Sequence, residues 1–390
     1  MRRVVIVGGS AAGLATAEAL RRFNFDGEIV IVGDEAEHAY DRPPLSKQLL
    51  CGDWDEERAK LMPPARVDRI GAEFRLATRA TALWPDDRLI WLHDGGKLAY
   101  DELVIATGVR PRSLPATESA PVHVLRTLPD CRRLGAAIRE HGRLVIVGAG
   151  FIGLEVAATA RKLGAEVTVL EPLTAPLASR LGDYTASRLL ALHREAGVDL
   201  RCGVGVSAIT VSETSSGRVV EGVVAAGGSI IESPVVLVAI GCVPNVGWLT
   251  GSGLDLADGV GCDAYCRAGP HIWAAGDVAR WHHDGLGQSL RIEHRMNANE
   301  QATAVAANIM GAARPFTPVP FFWTDHYQTK IQLAGIVAAG AEERAEFADE
   351  DSFVRSFWAE GRLIGVLGWN AAKAMMPLRR SLDMTAPVVA

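Results

Sequence analysis

The sequence predicts an α/β protein with two copies of one βαβ unit and a smaller C-terminal α+β domain. Three observations carry this. A β-branched run, a glycine turn and a helix-like segment open the chain, and the same order returns 140 residues later. Each copy continues into a second apolar run that ends in acid. Beyond residue 311, after Arg314-Pro315 and Pro318-Val319-Pro320, the stretch Trp358 to Trp369 with Gly361, Gly365 and Gly368 reads as a β-hairpin.

The first copy begins with Val4-Val5-Ile6-Val7, a buried-strand pattern. Gly8, Gly9, Ser10, Ala11, Ala12 and Gly13 follow, then a helix expected over about Leu14–Phe23. The second strand, Glu28 to Val32, leads to Gly33, Asp34 and Glu35. The second copy runs Leu144-Val145-Ile146-Val147, then Gly148, Ala149, Gly150, Phe151, Ile152 and Gly153. Its helix is expected over Leu154–Leu163, and its second strand ends at Glu171. In such a unit the first glycine makes a tight turn and the middle position lets backbone approach a pyrophosphate. The last glycine lets helix pack on strand. The helix N-terminus offers free N–H groups and the positive end of its dipole to phosphates. The acid accepts hydrogen bonds from ribose hydroxyls. Gly13 to Asp34 spans 21 residues and Gly153 to Glu171 spans 18, both near the usual offset of about 20. Strand, turn, helix, strand and acid in order, twice, specify two Rossmann-like dinucleotide-binding domains. Ser10 stands where the middle glycine usually sits, small enough to keep the close approach.

Two further strand ends fit the same plan. Leu103 to Ile105 lead into Ala106-Thr107-Gly108, and Ile272-Trp273-Ala274-Ala275 lead into Gly276-Asp277, with a helix expected from Val278. Pro-rich edges, Arg110-Pro111-Arg112 and Ser233-Pro234, divide the chain into residues 1–109 and 234–311 for the first unit and 110–233 for the inserted second unit. Residues 312–390 form the C-terminal domain, with a β-hairpin expected over Trp358–Trp369 and a helix over Ala371–Leu382.

The segment Tyr40-Asp41-Arg42-Pro43-Pro44-Leu45-Ser46-Lys47 narrows the reading. It resembles the YDRPPLSK signature of the oxygenase-coupled NADH-dependent ferredoxin reductases, of the putidaredoxin reductase and biphenyl-dioxygenase type. Phe322-Trp323-Thr324-Asp325, with Ile331-Gln332-Leu333-Ala334-Gly335, is similar to that family's WSDQ…IQ.AG pattern. The resemblance covers nearly the whole chain. It implies FAD in the first unit, with Gly8 to Gly13 at the pyrophosphate and Asp34 or Glu35 at the adenosine ribose. Arg42, Lys47, Arg126 and Trp323 would lie near FAD, Ala80 would meet the adenine, and Asp277 the ribityl chain. NADH would occupy the second unit at Gly148, Gly150, Phe151, Ile152 and Gly153, with Glu155 near the nicotinamide and Ile240-Gly241 in the same cleft. Lys47 and Glu155 are the candidate catalytic residues, expected to pair. The implied activity is an NADH-dependent ferredoxin reductase whose partner is a small [2Fe–2S] ferredoxin feeding a P450 or Rieske oxygenase. One departure stands out: Glu293-His294-Arg295 carries arginine where the family has tryptophan.

Composition sets the outer limits. Forty Lys plus Arg against 46 Asp plus Glu give a net charge of −6, a poor match to nucleic-acid binding. The longest uncharged run, Ser233 to Leu254, holds two prolines and four glycines and makes a poor membrane span. A soluble, cytoplasmic protein is expected, with oligomeric state left open. The six cysteines form no CxxC or CxxxxC pair, which argues against a dithiol reductase and against a resident iron–sulfur cluster. A single-cysteine NADH oxidase or peroxidase, and a flavin-binding redox sensor similar in fold to apoptosis-inducing factor, are the rival readings. His282-His283-Asp284 reads as a surface loop, so no metal is expected. A basic docking patch would have to be assembled from residues such as Arg42, Lys373, Arg379 and Arg380.

Overall fold

Val4, Val5, Ile6 and Val7 are at most 3% exposed, and Arg3–Val7 forms the middle of a six-stranded sheet. Burying each such side chain contributes roughly 1.5–3 kcal/mol, which is why the strand carries no alternating polar face. The computed structural model describes residues 1–114, 120–215 and 217–382. The last eight residues of the expected C-terminal domain lie outside that set. The first sheet runs in the order Arg267–Gly269, Ile272–Ala274, Glu102–Ile105, Arg3–Val7, Glu28–Val32 and Glu73–Arg75, parallel except for its first pair. The second sheet is parallel throughout: Asp199–Cys202, Glu166–Glu171, Arg143–Val147 and Val236–Val238. The C-terminal sheet is antiparallel, in the order Phe321–His326, Thr329–Gly335, Arg362–Trp369, Phe353–Ala359 and Glu342–Ala348.

Several expectations shift. The helices span Ala11–Arg22 and Phe151–Lys162, starting three residues earlier than the apolar pattern suggested, because the small residues of each glycine turn already form the first helical turn. Val236–Val238 pairs in register with Val145–Val147, so the second sheet continues past the expected edge at 233 and 234. The crossing between units is a short antiparallel ladder of Val109–Pro111 with Cys242–Pro244. No helix follows Asp277; the chain enters the strand Ala279–His283. His282 and His283 belong to that strand rather than to a surface loop. His283 is fully buried, accepts from the Leu286 N–H, and contacts the Pro318 carbonyl. No cluster of three or more possible metal ligands occurs among the described residues. The hairpin and the final helix, Ala372–Arg380, stand where expected.

One core joins the second unit to the C-terminal sheet. Leu154, Val156 and Ala157 of the second glycine-turn helix pack in a cluster with Ile331, Leu333, Phe357 and Leu367. A separate cluster, with Val4, Ile6, Leu14 and Ile31, holds the first unit together. No helix among the described residues is long and apolar enough to cross a membrane.

Candidate functional site

Both glycine turns are built so that backbone presses on backbone. A Cβ on Gly13 would sit 1.9 Å from the Gly8 carbonyl oxygen, and one on Gly153 would sit 2.2 Å from that of Gly148. Gly8 and Gly148 have φ of 125° and 106°, open to glycine at little cost. A Cβ on Gly150 would instead meet nothing closer than 4.0 Å, which leaves room in front of the helix. Neither helix N-terminus has a side-chain cap or an acidic residue in its first turn. By contrast, Leu128–His141 carries a full capping box from Thr127 and Asp130. The two glycine-turn helices therefore keep their first N–H groups for an anion.

In front of the first turn lies a cavity of about 610 Å³. Gly8, Gly9, Ser10, Asp34, Glu35, Arg42, Ala80 and Arg126 all line it, so eight of the residues expected around FAD surround one space. Ala11, Ala12 and Gly13 continue into the helix behind it. Asp34 is exposed at the cavity, whereas Glu35 is already engaged. Tyr40 Oη donates to the Glu35 carboxylate, Arg42 Nη2 donates to Glu35 Oε1 at 2.5 Å, and Arg42 Nη1 donates to the Arg126 carbonyl. Asp34 is thus the carboxylate free for a ribose. Arg42 faces inward in this network, so it does not belong to a surface docking patch. Arg379 covers the Phe321 ring at 4.2 Å. Arg126 reaches Asp277 at 3.5 Å; burial pushes the Asp277 carboxyl up against the pull of that guanidinium.

The two copies differ at the acid. Gly8 N donates to Val32 O, and Gly148 N donates to Leu170 O, so the residue after Val32, Gly33, is the structural counterpart of Glu171. A Cβ built on Gly33 would lie 3.4 Å from Gly9 N and 3.5 Å from Gly9 Cα, ordinary contact, so space does not exclude a side chain there; in this copy the acid stands one residue later, at Asp34. Glu171 is buried, and its oxygens accept from the Ala149 and Leu173 N–H groups at 2.8 and 2.9 Å. The turn itself fixes this carboxylate. Ile240 comes within 3.4 Å of a Cβ built on Gly148, and Gly241 accepts from the Arg112 N–H. Ile152 is 45% exposed at the helix start.

Lys47 and Glu155 meet. Lys47 Nζ is 2.7 Å from Glu155 Oε2, with side chains 12% and 5% exposed. Glu155 also accepts from Ser46 Oγ at 2.5 Å and from Thr324 Oγ1 at 2.6 Å. One carboxylate thereby ties the Pro43–Ser46 turn, the second helix and the C-terminal sheet together. Phe322 packs on Phe151 at 5.1 Å and on His294 at 4.9 Å. Burial, with Arg180 adding, lowers His294 to about 4. His294 Nδ1 and Arg295 Nη1 are buried with no hydrogen-bond partner, polar atoms that suit a polar group set between these segments. Trp323 shares a strand with Thr324 but is not among the residues lining the cavity.

Sequence reasoning missed part of this. Arg295 Nε donates to Asp41 at 2.5 Å, so the departure from tryptophan is matched inside the 40–47 segment. Beyond Thr324 lie two fully buried histidines, His326 and His193. His326 offered a signal, standing where the WSDQ pattern has glutamine; His193 offered none.

The residues present fit the cofactors the motifs imply: open helix ends, an uncrowded approach at Gly150, the Asp34 carboxylate and the backbone-anchored Glu171 for ribose, and unpartnered buried polar atoms on His294 and Arg295. Comparison with known proteins agrees. A family model described as pyridine nucleotide-disulphide oxidoreductase matches residues 2–302, and one described as reductase C-terminal matches residues 321–390. Rhodocoxin reductase of Rhodococcus erythropolis is 36% identical over 390 residues, 99% of this chain and 90% of that one. The ferredoxin–NAD(+) reductase component of an anthranilate 1,2-dioxygenase system from Burkholderia cepacia is 36% identical over 96% of this chain and 93% of its own length. Among solved structures, the covalent putidaredoxin reductase–putidaredoxin complex superposes with a TM-score of 0.91 at 32% identity, over 97% of this chain and 93% of that chain. With its two glycine turns, its paired Lys47 and Glu155 and its C-terminal sheet, the chain belongs to the pyridine nucleotide-disulphide oxidoreductase family.

Proposed function

We propose that the chain is an FAD-containing, NADH-dependent reductase of a [2Fe–2S] ferredoxin, working in the cytoplasm and supplying an oxygenase. The single observation that supports this best is the pairing of two nucleotide sites in one chain with no cysteine pair. All six cysteines are free. Cys242 lies in the field of Arg126 and Asp277, but burial, then Glu293, pushes its thiol up to about 12. A thiol held protonated there is a poor nucleophile, which disfavours an oxidase or peroxidase that works through cysteine.

FAD, when bound, supplies a centre that accepts a hydride and releases electrons one at a time. The chain's residues position and tune it. The open N–H groups at Ala11 and Ala12, with Asp34, hold the adenosine diphosphate end. Arg42 and Arg126 place positive charge along the cavity wall. Lys47 offers a cation where negative charge builds, and Glu155 holds that ammonium in place. Glu171 selects the coenzyme: a buried, backbone-anchored carboxylate accepts from ribose hydroxyls and repels a 2′-phosphate.

The test is direct. The purified protein should be yellow, release FAD on denaturation and bleach anaerobically with NADH. Mixing with an oxidised [2Fe–2S] ferredoxin should then reduce the cluster within catalytic turnover. A long-lived charge-transfer complex that passes no electrons to any ferredoxin would support the sensor reading instead.

A further inference from the structure

A continuous file of hydrogen bonds leaves Glu155 on the side away from Lys47. Thr324 Oγ1 lies 2.6 Å from Glu155 Oε1 and 3.0 Å from His326 Nε2. His326 Nδ1 lies 3.3 Å from His193 Nε2, and His193 Nδ1 lies 3.2 Å from the Tyr327 hydroxyl. Glu155, Thr324, His326 and His193 are all buried. Tyr327 is half-buried, in the turn between Phe321–His326 and Thr329–Gly335. The file therefore runs from the Lys47–Glu155 pair to the protein surface.

Its order follows from one charge. An ionised carboxylate only accepts, so Thr324 must donate to it. The Thr324 oxygen can then accept from His326 Nε2–H, leaving His326 Nδ1 to accept from His193 Nε2–H. His193 Nδ1 in turn accepts from the Tyr327 O–H. One tautomer of each imidazole satisfies every bond. If Glu155 gains a proton it can donate to Thr324, and the same atoms support the opposite order. The two orders differ by one proton moved along the whole file.

The groups facing the file come from four elements. Ser46 and Lys47 flank Glu155. Arg161, on the same helix as Glu155, acts on Tyr327. His193 belongs to the helix Asp183–Glu195. Asp325 and Lys330 belong to the C-terminal hairpin, and the Leu154 backbone bonds to His326. Burial lowers both imidazoles to about 3. At neutral pH only about one in ten thousand is charged, so the pair passes protons rather than storing them.

We propose that Glu155, Thr324, His326, His193 and Tyr327 form a proton conduit between the Lys47–Glu155 pair and solvent. The proposal rests on the reductase reading above. Hydride transfer leaves negative charge at the site, and a proton taken up by Glu155 offsets it. In the order set by the ionised carboxylate every hydrogen points inward, so the file loads Glu155. The Thr324 O–H bond breaks as the Glu155 O–H bond forms, and Thr324 takes the His326 Nε2 proton. His326 Nδ1 takes the His193 Nε2 proton, His193 Nδ1 takes the Tyr327 proton, and water restores the Tyr327 O–H. When the electrons leave singly to one-electron carriers, each exchange runs in reverse, Glu155 is ionised again, and Tyr327 returns one proton to water. The file carries no net proton; the overall balance is NADH plus two oxidised carriers giving NAD+, two reduced carriers and one H+, that H+ being the hydride's own. No electron moves along the file.

Two measurements test it. Nitrogen-15 NMR of histidine-labelled protein reads both rings without turnover. His193 and His326 should both carry their proton on Nε2 and keep it from pH 5 to 9; titration of either ring in that range, or an Nδ1–H tautomer, overturns the file. Stopped-flow kinetics then compares anaerobic bleaching by NADH with reoxidation by ferricyanide in wild type, Tyr327→Phe and His326→Gln. Glutamine keeps the hydrogen-bonding shape but cannot relay a proton. Bleaching should stay within twofold. Reoxidation should slow by about tenfold or more and change its solvent isotope effect. Unchanged reoxidation in both variants, with bleaching intact, overturns the conduit alone. Absence of bleaching in wild type overturns the reductase reading and the conduit with it.

Discussion

Replacing Glu155 by glutamine removes the carboxylate that Lys47, Ser46 and Thr324 share. Lys47 Nζ stands 2.7 Å from it, with both side chains nearly out of solvent. At an effective dielectric of about 20, the gross attraction at that distance is about 6 kcal/mol, largely offset by desolvating the two ions. The pair is therefore of little net value against an apolar pair, but removing one partner strands a buried charge, at a cost of about 3–5 kcal/mol. Ser46 and Thr324 can rotate their hydroxyls to meet an amide, whereas the ammonium cannot accept. At about 2.1 cal/mol/K per residue, the whole chain unfolds with an entropy near 0.8 kcal/mol/K, so Glu155→Gln should lower Tm by about 4–6 °C if it unfolds as one unit. Melting should be followed by circular dichroism at one fixed excess of FAD, because bound cofactor shifts Tm by mass action. The double variant Lys47→Met/Glu155→Leu should melt above the single one. A Glu155→Gln protein melting within 1 °C of wild type, or a double variant no better than the single, would refute the assignment of a stranded charge.

Three further predictions follow from the same geometry. Glu171→Gln should raise the ratio of kcat/KM for NADPH over NADH by about tenfold or more, since even half of the roughly 4 kcal/mol repulsion at 4 Å is that large; steady-state kinetics with both coenzymes checks it. Gly13→Ala should yield protein that loses FAD on gel filtration, whereas Gly153→Ala should stay yellow but bleach poorly with NADH, because each Cβ falls within 2.2 Å of a carbonyl oxygen in its own unit. His193 and His326, lowered to about 3, bind fewer protons folded than unfolded. Their stabilising effect is fully present above the unfolded value near 6.5 and drains away as pH falls toward 3, by up to about 1.4 kcal/mol per unit for each ring. Urea titrations of His193→Gln should show a shallower loss between pH 6.5 and 4.5 than wild type.

The parts of the fold legible in the sequence are those specified locally. Each βαβ unit is contiguous, and its last glycine reports a backbone contact made five residues away, Gly13 with Gly8 and Gly153 with Gly148, so the turns, strands and helices could be placed. The edge at 233 and 234 could not, because Val236–Val238 is fixed by pairing with a strand some ninety residues earlier. Glu35 looked as eligible as Asp34; only the fold shows Tyr40 and Arg42 occupying it. Lys47 and Glu155 were linked through family resemblance, since nothing local joins residues 108 positions apart. The histidine pair was invisible for the same reason: it is assembled across 133 residues by a helix of one unit and a strand of another domain.

The ladder of Val109–Pro111 with Cys242–Pro244 carries the chain out of the first unit and back again, and the Arg112 N–H still reaches Gly241 O. Departure and return are therefore side by side, and everything between them is a cassette. A counterpart that tolerates a phosphorylated ribose could be transplanted between residues 112 and 241 without re-threading the host, provided the graft keeps the apolar helix face that meets Ile331 and Phe357. Coenzyme choice would then be an exchangeable module in this architecture, separable from the flavin-bearing frame.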